Sequence, residues 1–225
     1  MRMRTPTIIL VLGSAIVLAG SGIHAPAFSE AAPTPEAAAD EGLEELPELV
    51  TSDTVKGLGF TSTGEVSEAL IDKESRLKAY TVELNALRKF KRGDDAEKLL
   101  KDQDIFIYPI KVGTTVRSSM TVTRLRDGTW DVTGWGAPGF IDGLTSLAFS
   151  DLNIVVWVPE LNIYFLGERQ QDGKLMLASI NNKPEFNLER RVWKQAHELF
   201  LQFSKLLPTV KPYKLGNPDK PREPG

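Results

Sequence analysis

The stretch "TTVRSSMTVTRLRDGTWDVTGWGAPG" (residues 114–139) decides the fold, because it admits two incompatible readings. Its last six residues, Gly134 to Gly139, spell G-x-G-x-x-G between a strand-like run and a helix-like one, the pattern of a dinucleotide site. The residues before them alternate polar and apolar on both sides of Arg126-Asp127-Gly128, the pattern of an antiparallel hairpin. A dinucleotide fingerprint needs a buried parallel strand, free amides at the helix start and an acid about twenty residues on. Here the strand alternates, Pro138 removes an amide where phosphate would sit, and position 154 is isoleucine. The hairpin reading wins. A three-residue loop sets Val122 opposite Val132 and Arg124 opposite Trp130, keeping apolar partners together, with Gly128 left-handed.

Outward from the hairpin, further β-rich runs appear at 79–84 ("AYTVEL"), 105–110 ("IFIYPI"), "NIVVWV", "NIYFLGE" and "KLMLASI". Pro109 calls for an edge position or a bend in its run. Helices are expected over 94–102, after Pro138, and most strongly over 187–208. In that last segment Leu188, Val192, Ala196, Leu199, Phe200, Phe203 and Leu206 form one apolar stripe. The expected class is α+β: a largely antiparallel sheet packed by a long C-terminal helix. Two short echoes, "VELN" with "VPELN" and "RLRDGTWDV" with "RQQDGKLML", suggest a duplicated strand–strand–strand–helix unit. Chance recurrence of Asp-Gly turns is the competing explanation.

The chain opens with Arg2 and Arg4, an apolar run from about Thr7 to Ile23, and a small-residue site ending at Ser29. That order predicts a signal peptide over 1–29 and an exported product, periplasmic or extracellular in a bacterium. An uncleaved anchor is the alternative, although glycines and serines interrupt the run. After cleavage no stable membrane span is expected. Residues 30–49 are rich in Ala, Pro and Glu and read as an acidic linker, 50–208 as a single domain, and 209–225 as a Pro/Lys-rich disordered tail.

Composition excludes several chemistries. There is no cysteine, hence no disulfide, thiolate nucleophile or cysteine-ligated metal. Without residues 1–29, 25 basic and 30 acidic residues remain, a net charge of −5. Seven of those acids lie in 30–49, and no concentrated basic face marks a nucleic-acid binder. His197 is the one histidine left after cleavage, and no G-x-S-x-G elbow supplies a nucleophile for it. No catalytic residue, metal ligand or cofactor is therefore assigned.

Two features keep function open. Asp127, Asp131, Asp142, Asp151 and Glu160 fall near the hairpin and the loops after it, and a pair of them would suit a glycosidase-like hydrolase. Asp127 and Asp172 read better as turn residues. Aromatics are the stronger positive signal: a sheet face left partly uncovered would hold an apolar ligand or a peptide strand. The candidate ligand-binding residues are Trp135, Trp130, Arg124 and Tyr164, with Trp135 foremost because flanking glycines would not shield it.

The segments "YTVELNALRKF", "IYPIKVGTTVRSSMTV", "DGTWDVTGWGAPG" and "VPELNIYFLG", spread over residues 80–167, resemble secreted bacterial proteins of no assigned function. That resemblance implies export and brings no activity. A second similarity, carried by strand-plus-helix repeats and export, is to chaperone-like proteins of the chloroplast intermembrane space and the cyanobacterial periplasm. It implies a protein or peptide partner. The expectation is an exported, non-enzymatic binding or interaction module, with a paired-acid hydrolase and a structural envelope protein as alternatives.

Overall fold

The computed structural model describes residues 32–136, 140–143 and 153–207, so the expected signal peptide and the tail lie outside the described residues. One sheet organises the chain. Its strands are β1 (Ala69–Ile71), β2 (Leu77–Thr81), β3 (Lys101–Val112), β4 (Thr115–Arg124), β5 (Trp130–Trp135), β6 (Ile154–Val158), β7 (Ile163–Arg169), β8 (Leu175–Ser179) and β9 (Trp193–Gln195). Their order is β5-β4-β3-β2-β6-β7-β8-β9, with β1 also paired to β3. The β2–β6 pair at the centre is parallel, and the other pairs are antiparallel. The helices are α1 (Pro35–Leu49), α2 (Leu84–Lys89) and α3 (Ala196–Leu206). This is the α+β class, with a mostly antiparallel sheet and a C-terminal helix.

The hairpin has the expected register: Val122 pairs with Val132, Arg124 with Trp130, and Gly128 takes φ +92°. An extra residue then interrupts the ladder, because Thr121 pairs with Gly134 and Met120 with Trp135. Such a bulge shifts the alternation by one, so Trp130, Val132 and Trp135 all face the same side. Pro109 sits inside β3, at the gap where β1 pairing ends and β2 pairing begins. Its carbonyl accepts from the Asp72 N–H at 3.0 Å. A strand residue's N and O point the same way, so the missing N–H of Pro109 falls in that gap and costs no ladder bond.

Strand order is symmetric about β2–β6. Each side is a four-strand meander, one strand more than the sequence echoes suggested. Lys78 lies level with Ile154 and Thr81 with Trp157, so the two echoing segments leave the sheet side by side. The Asp-Gly echo does not follow suit: it joins β4 to β5, the third connection of one meander, but β7 to β8, the second connection of the other.

Three segments differ from the sequence reading. Residues 30–49 contain α1 rather than an unpacked linker. Thr34 Oγ1 caps it by accepting from the Ala37 N–H at 3.1 Å, and Pro35 occupies the first turn. Its buried stripe is Ala38, Ala39, Gly42 and Leu46, mostly small residues that let the helix lie close on the sheet. A Cβ at Gly42 would come within 2.6 Å of Val132 Cγ2. Alanine is the best helix former, and a linker-like composition hid that. Helix 94–102 shrinks to a short 3-10 turn, Ala96–Leu99, because the sheet claims the chain from Lys101 onward. The C-terminal helix starts at Ala196, not at 187. Asn187 adopts φ +51° after a 3-10 turn, and Trp193–Gln195 pairs with β8, closing an edge that a longer helix would leave open.

The registers place two apolar clusters on one face of the sheet. Tyr108, Ile110, Met120 and Val122 pack beneath α1. Val156, Phe165 and Leu177 pack beneath α2 and α3, against Leu87, Phe200 and Phe203. The opposite face carries Leu77, Ile107, Val155, Tyr164, Leu166 and Ala178, against which Phe140 and Ile141 pack.

Candidate functional site

The most site-like feature lies on that opposite face, at the centre of the sheet. Trp157 of β6 and Tyr164 of β7 are register partners, so their side chains rise together. Their rings lie 5.5 Å apart and within 3° of parallel, a stacked pair. On the other side of β6, β2 offers only Ala79 and Thr81 beside Val155 and Trp157. Small residues next to a large ring leave a trough.

The far wall is built by a second irregularity. Lys78 pairs with Phe106 but Tyr80 with Asp102, so β3 is two residues longer than β2 across this step. Asp104 takes φ +50° there, its N–H donating to Asp102 Oδ1 at 2.9 Å. The step brings Gln103 into the trough, where Nε2 donates to Thr81 Oγ1 at 2.8 Å. Ile105 and Thr121 complete the lining. On the helix-covered face, Asp102 forms an ion pair with Lys78. Burial pushes the Asp102 carboxyl upward, but hydrogen bonds from Lys78 and the Asp104 N–H outweigh it, and the net direction is down. The bond to Asp102 in turn raises Lys78.

The trough encloses only about 20 Å3, room for a single water. Closed small-molecule pockets are an order of magnitude larger. This surface suits contact with a side chain laid across it, not engulfment of a ligand.

The four candidate residues do not converge. Trp130 and Trp135 both pack against the α1-side cluster. Trp130 exchanges backbone bonds with Ala32 at 2.8 and 3.1 Å, and its ring lies 5.5 Å from that of Phe106. Trp135 stands opposite Met120 beneath the same cover. Arg124 is exposed and its Nε donates to the Gly128 carbonyl at 3.3 Å, bracing the turn. Tyr164 alone stands on the trough face, where it is buried against Trp157. Trp157 and Gln103 are the residues that sequence reasoning passed over. Trp157 sat in a continuous apolar run without visible facing, and Gln103 lay between a segment expected as helix, 94–102, and the strand run beginning at 105.

The glycine stretch is a strand end. β5 stops at Trp135, and Gly136 turns with φ +76°, its N–H donating to the Ser119 carbonyl at 2.9 Å. Residues 137–139 lie outside the described residues, and helix resumes at 140.

The acids are separately engaged. Asp127 accepts from the Thr129 N–H at 3.1 Å and Asp172 from the Lys174 N–H at 3.1 Å, both as turn residues. Asp131 is exposed, Asp142 pairs with Arg190 and Arg191, and Asp151 lies outside the described residues. Glu160 Oε1 accepts from the Leu84 N–H at 3.4 Å, at the start of α2. Among the described residues no group of three or more His, Asp or Glu side chains is placed to hold a metal ion. His197 Nδ1 lies 3.0 Å from the Asp94 carbonyl and its ring meets Phe90 edge-on, so it ties α3 to the chain before β3. No described helix is long and apolar enough to cross a membrane.

In comparisons with known proteins, no family model, no curated protein and no solved structure matches the chain. The class is therefore defined by its own architecture, two antiparallel meanders joined in parallel, with α1, α2 and α3 on one face and a stacked aromatic pair and the helical residues 140–143 on the other.

Proposed function

We propose that the protein is an exported, non-enzymatic binding module that holds an extended apolar segment of a partner protein against the Trp157–Tyr164 face. The observation that carries this is the stacked pair beside a trough floored by Ala79 and Thr81 and edged by Gln103. Aromatic anchors dominate the energetics of such contacts, and an amide and two hydroxyls supply hydrogen bonds to a peptide backbone. The separate engagement of the described acids and the structural bond of His197 favour binding over acid–base chemistry. Export rests on the charged start, apolar run and small-residue site of residues 1–29.

A reduced, carboxymethylated lactalbumin serves as an unfolded probe, and intrinsic tryptophan fluorescence reads its binding. Trp157→Ala is expected to weaken binding about tenfold or more, with far-ultraviolet circular dichroism unchanged. Trp130→Phe, on the opposite face, should leave binding intact. Equal affinities for the wild type and Trp157→Ala would sink the reading. N-terminal sequencing of protein from the exported fraction should begin at Glu30.

A further inference from the structure

The two arginines that follow β8 have an unusual backbone. Arg191 takes φ +66°, a conformation that costs a non-glycine residue about 1 kcal/mol or more and persists only where the surroundings enforce it. The pair is anchored to the sheet: the Arg191 N–H donates to the Ser179 carbonyl at 2.9 Å, and the Arg190 N–H to Asn182 Oδ1 at 2.7 Å. In extended chain, consecutive side chains point to opposite sides. The left-handed Arg191 breaks that alternation, and both guanidinium groups reach one carboxylate, that of Asp142. Arg190 Nη2 bonds Asp142 Oδ2, and Arg191 Nη2 lies 3.2 Å from Asp142 Oδ1.

Asp142 belongs to the helical residues 140–143, which lie on the face that carries the stacked pair. Phe140 and Ile141 are buried there in the same cluster as Tyr164, Leu166 and Ile180. A Cβ at Gly143 would stand 3.1 Å from Ile180 Cγ2, so the backbone lies close on the sheet. The nearest described anchors in the chain are Gly136, bonded to Ser119, and Asn153, bonded to Gly167. Between those anchors, the hold on this cover includes two buried apolar side chains, the double ion pair and a bond from Arg191 Nη2 to the Asp142 carbonyl at 3.5 Å.

We propose that Asp142 and the Arg190–Arg191 pair form a salt-sensitive latch that keeps residues 140–143 over the apolar face, so that a partner segment competes with this cover for Leu166 and Ile180. The proposal rests on the binding reading above and adds to it a built-in regulator. Asp142 is 55% exposed and the arginines are 33% and 38% exposed, so water and salt reach the latch. Exposed pairs of this kind are individually weak, which suits a cover that must open. The apolar contacts of Phe140 and Ile141 close it again when the partner leaves.

Amide hydrogen exchange of residues 140–143 and the emission of an apolar-surface dye, anilinonaphthalene sulfonate, test the latch in the full chain without any partner. Asp142→Asn is expected to speed exchange at Phe140 and Ile141 by about three- to tenfold, the loss typical of one or two exposed pairs. Dye emission should rise with it. In wild type, about 1 M salt should reproduce both changes, since screening is then complete within a few ångströms. Asp131→Asn, at an exposed acid of β5, should change neither readout. Exchange and emission unaltered in Asp142→Asn would overturn the latch. If both rise but carboxymethylated lactalbumin binds no better, the latch stands and the binding reading falls. Tighter binding of that probe by Asp142→Asn supports both.

Discussion

Both faces of the central sheet are apolar, yet they are covered by different means. One lies under α1, α2 and α3, whose buried side chains include Leu46, Leu87, Phe200 and Phe203. The other is covered, among the described residues, by Phe140 and Ile141 of a short helical segment, by the strand-flanking Ile180 and by half-buried Trp193. Buried area scales with stabilisation, and the helix-covered face, with the larger set of buried side chains, contributes the larger share.

The largest expected effect tests that division directly. Phe203→Ala, which empties a site packed against Phe165 and Phe186, should cost about 3–5 kcal/mol in urea unfolding. Ile141→Ala on the thin cover should cost about 2 kcal/mol, the low end for such truncations, because that site collapses or opens more readily. Equal losses would erase the distinction between the faces. Next in size is Gly167→Ala, whose new Cβ would meet Leu177 Cδ2 at 2.7 Å and Ile154 Cγ1 at 2.8 Å. Overpacking there should cost about 1–3 kcal/mol, read as a lowered thermal midpoint with the trough-face dye signal unchanged.

The smallest effect sharpens how α1 is held. Asp72 accepts from the Ser75 N–H at 3.2 Å and Ser75 Oγ at 2.7 Å and pairs with Lys111. The turn it closes presents Lys73 to Asp40 and Arg76 to Glu36 on α1. Burial pushes the Asp72 carboxyl upward, but bonds from Lys111 and Ser75 outweigh it and the net direction is down. A carboxylate depressed by folding contributes stability that is fully present above its unfolded value of 3.8 and lost as pH falls through the lower folded value. Asp72→Asn should therefore lower stability at neutral pH and flatten the acid limb below about pH 4. An acid limb as steep as wild type would remove Asp72 from this role.

How much was legible depended on whether a local pattern met a tertiary demand. The register of the central hairpin followed from residues 114–139, because a three-residue loop with Gly128 left only one pairing that kept Val122 and Val132 together. The apolar stripe from Ala196 onward became α3 because its period matched the helix, although the start expected at Asn187 gave way to β9. α1 was missed because its contact face is built of Ala38, Ala39 and Gly42, which look like linker until a partner surface of matching flatness is present. Of the candidate site, Tyr164 could be named from the sequence. Its partner Trp157 could not be, because in "NIVVWV" both faces are apolar and alternation carries no sign.

The sequence by itself determined the chain's local geometry: where it turns, where it alternates, what chemistry it lacks for want of cysteine, and the α+β class. Those follow from backbone preferences and residue spacing, which act within a few positions. Only the tertiary structure decided which face each strand shows, that Thr133 and the Gln103–Asp104 step shift those faces, and that Trp157 meets Tyr164 across two strands. Facing depends on pairing between distant segments, where a one-residue shift moves a side chain through the sheet. The same dependence brings Asp142 to Arg190 and Arg191, nearly fifty residues away, to latch a cover over the stacked pair's face.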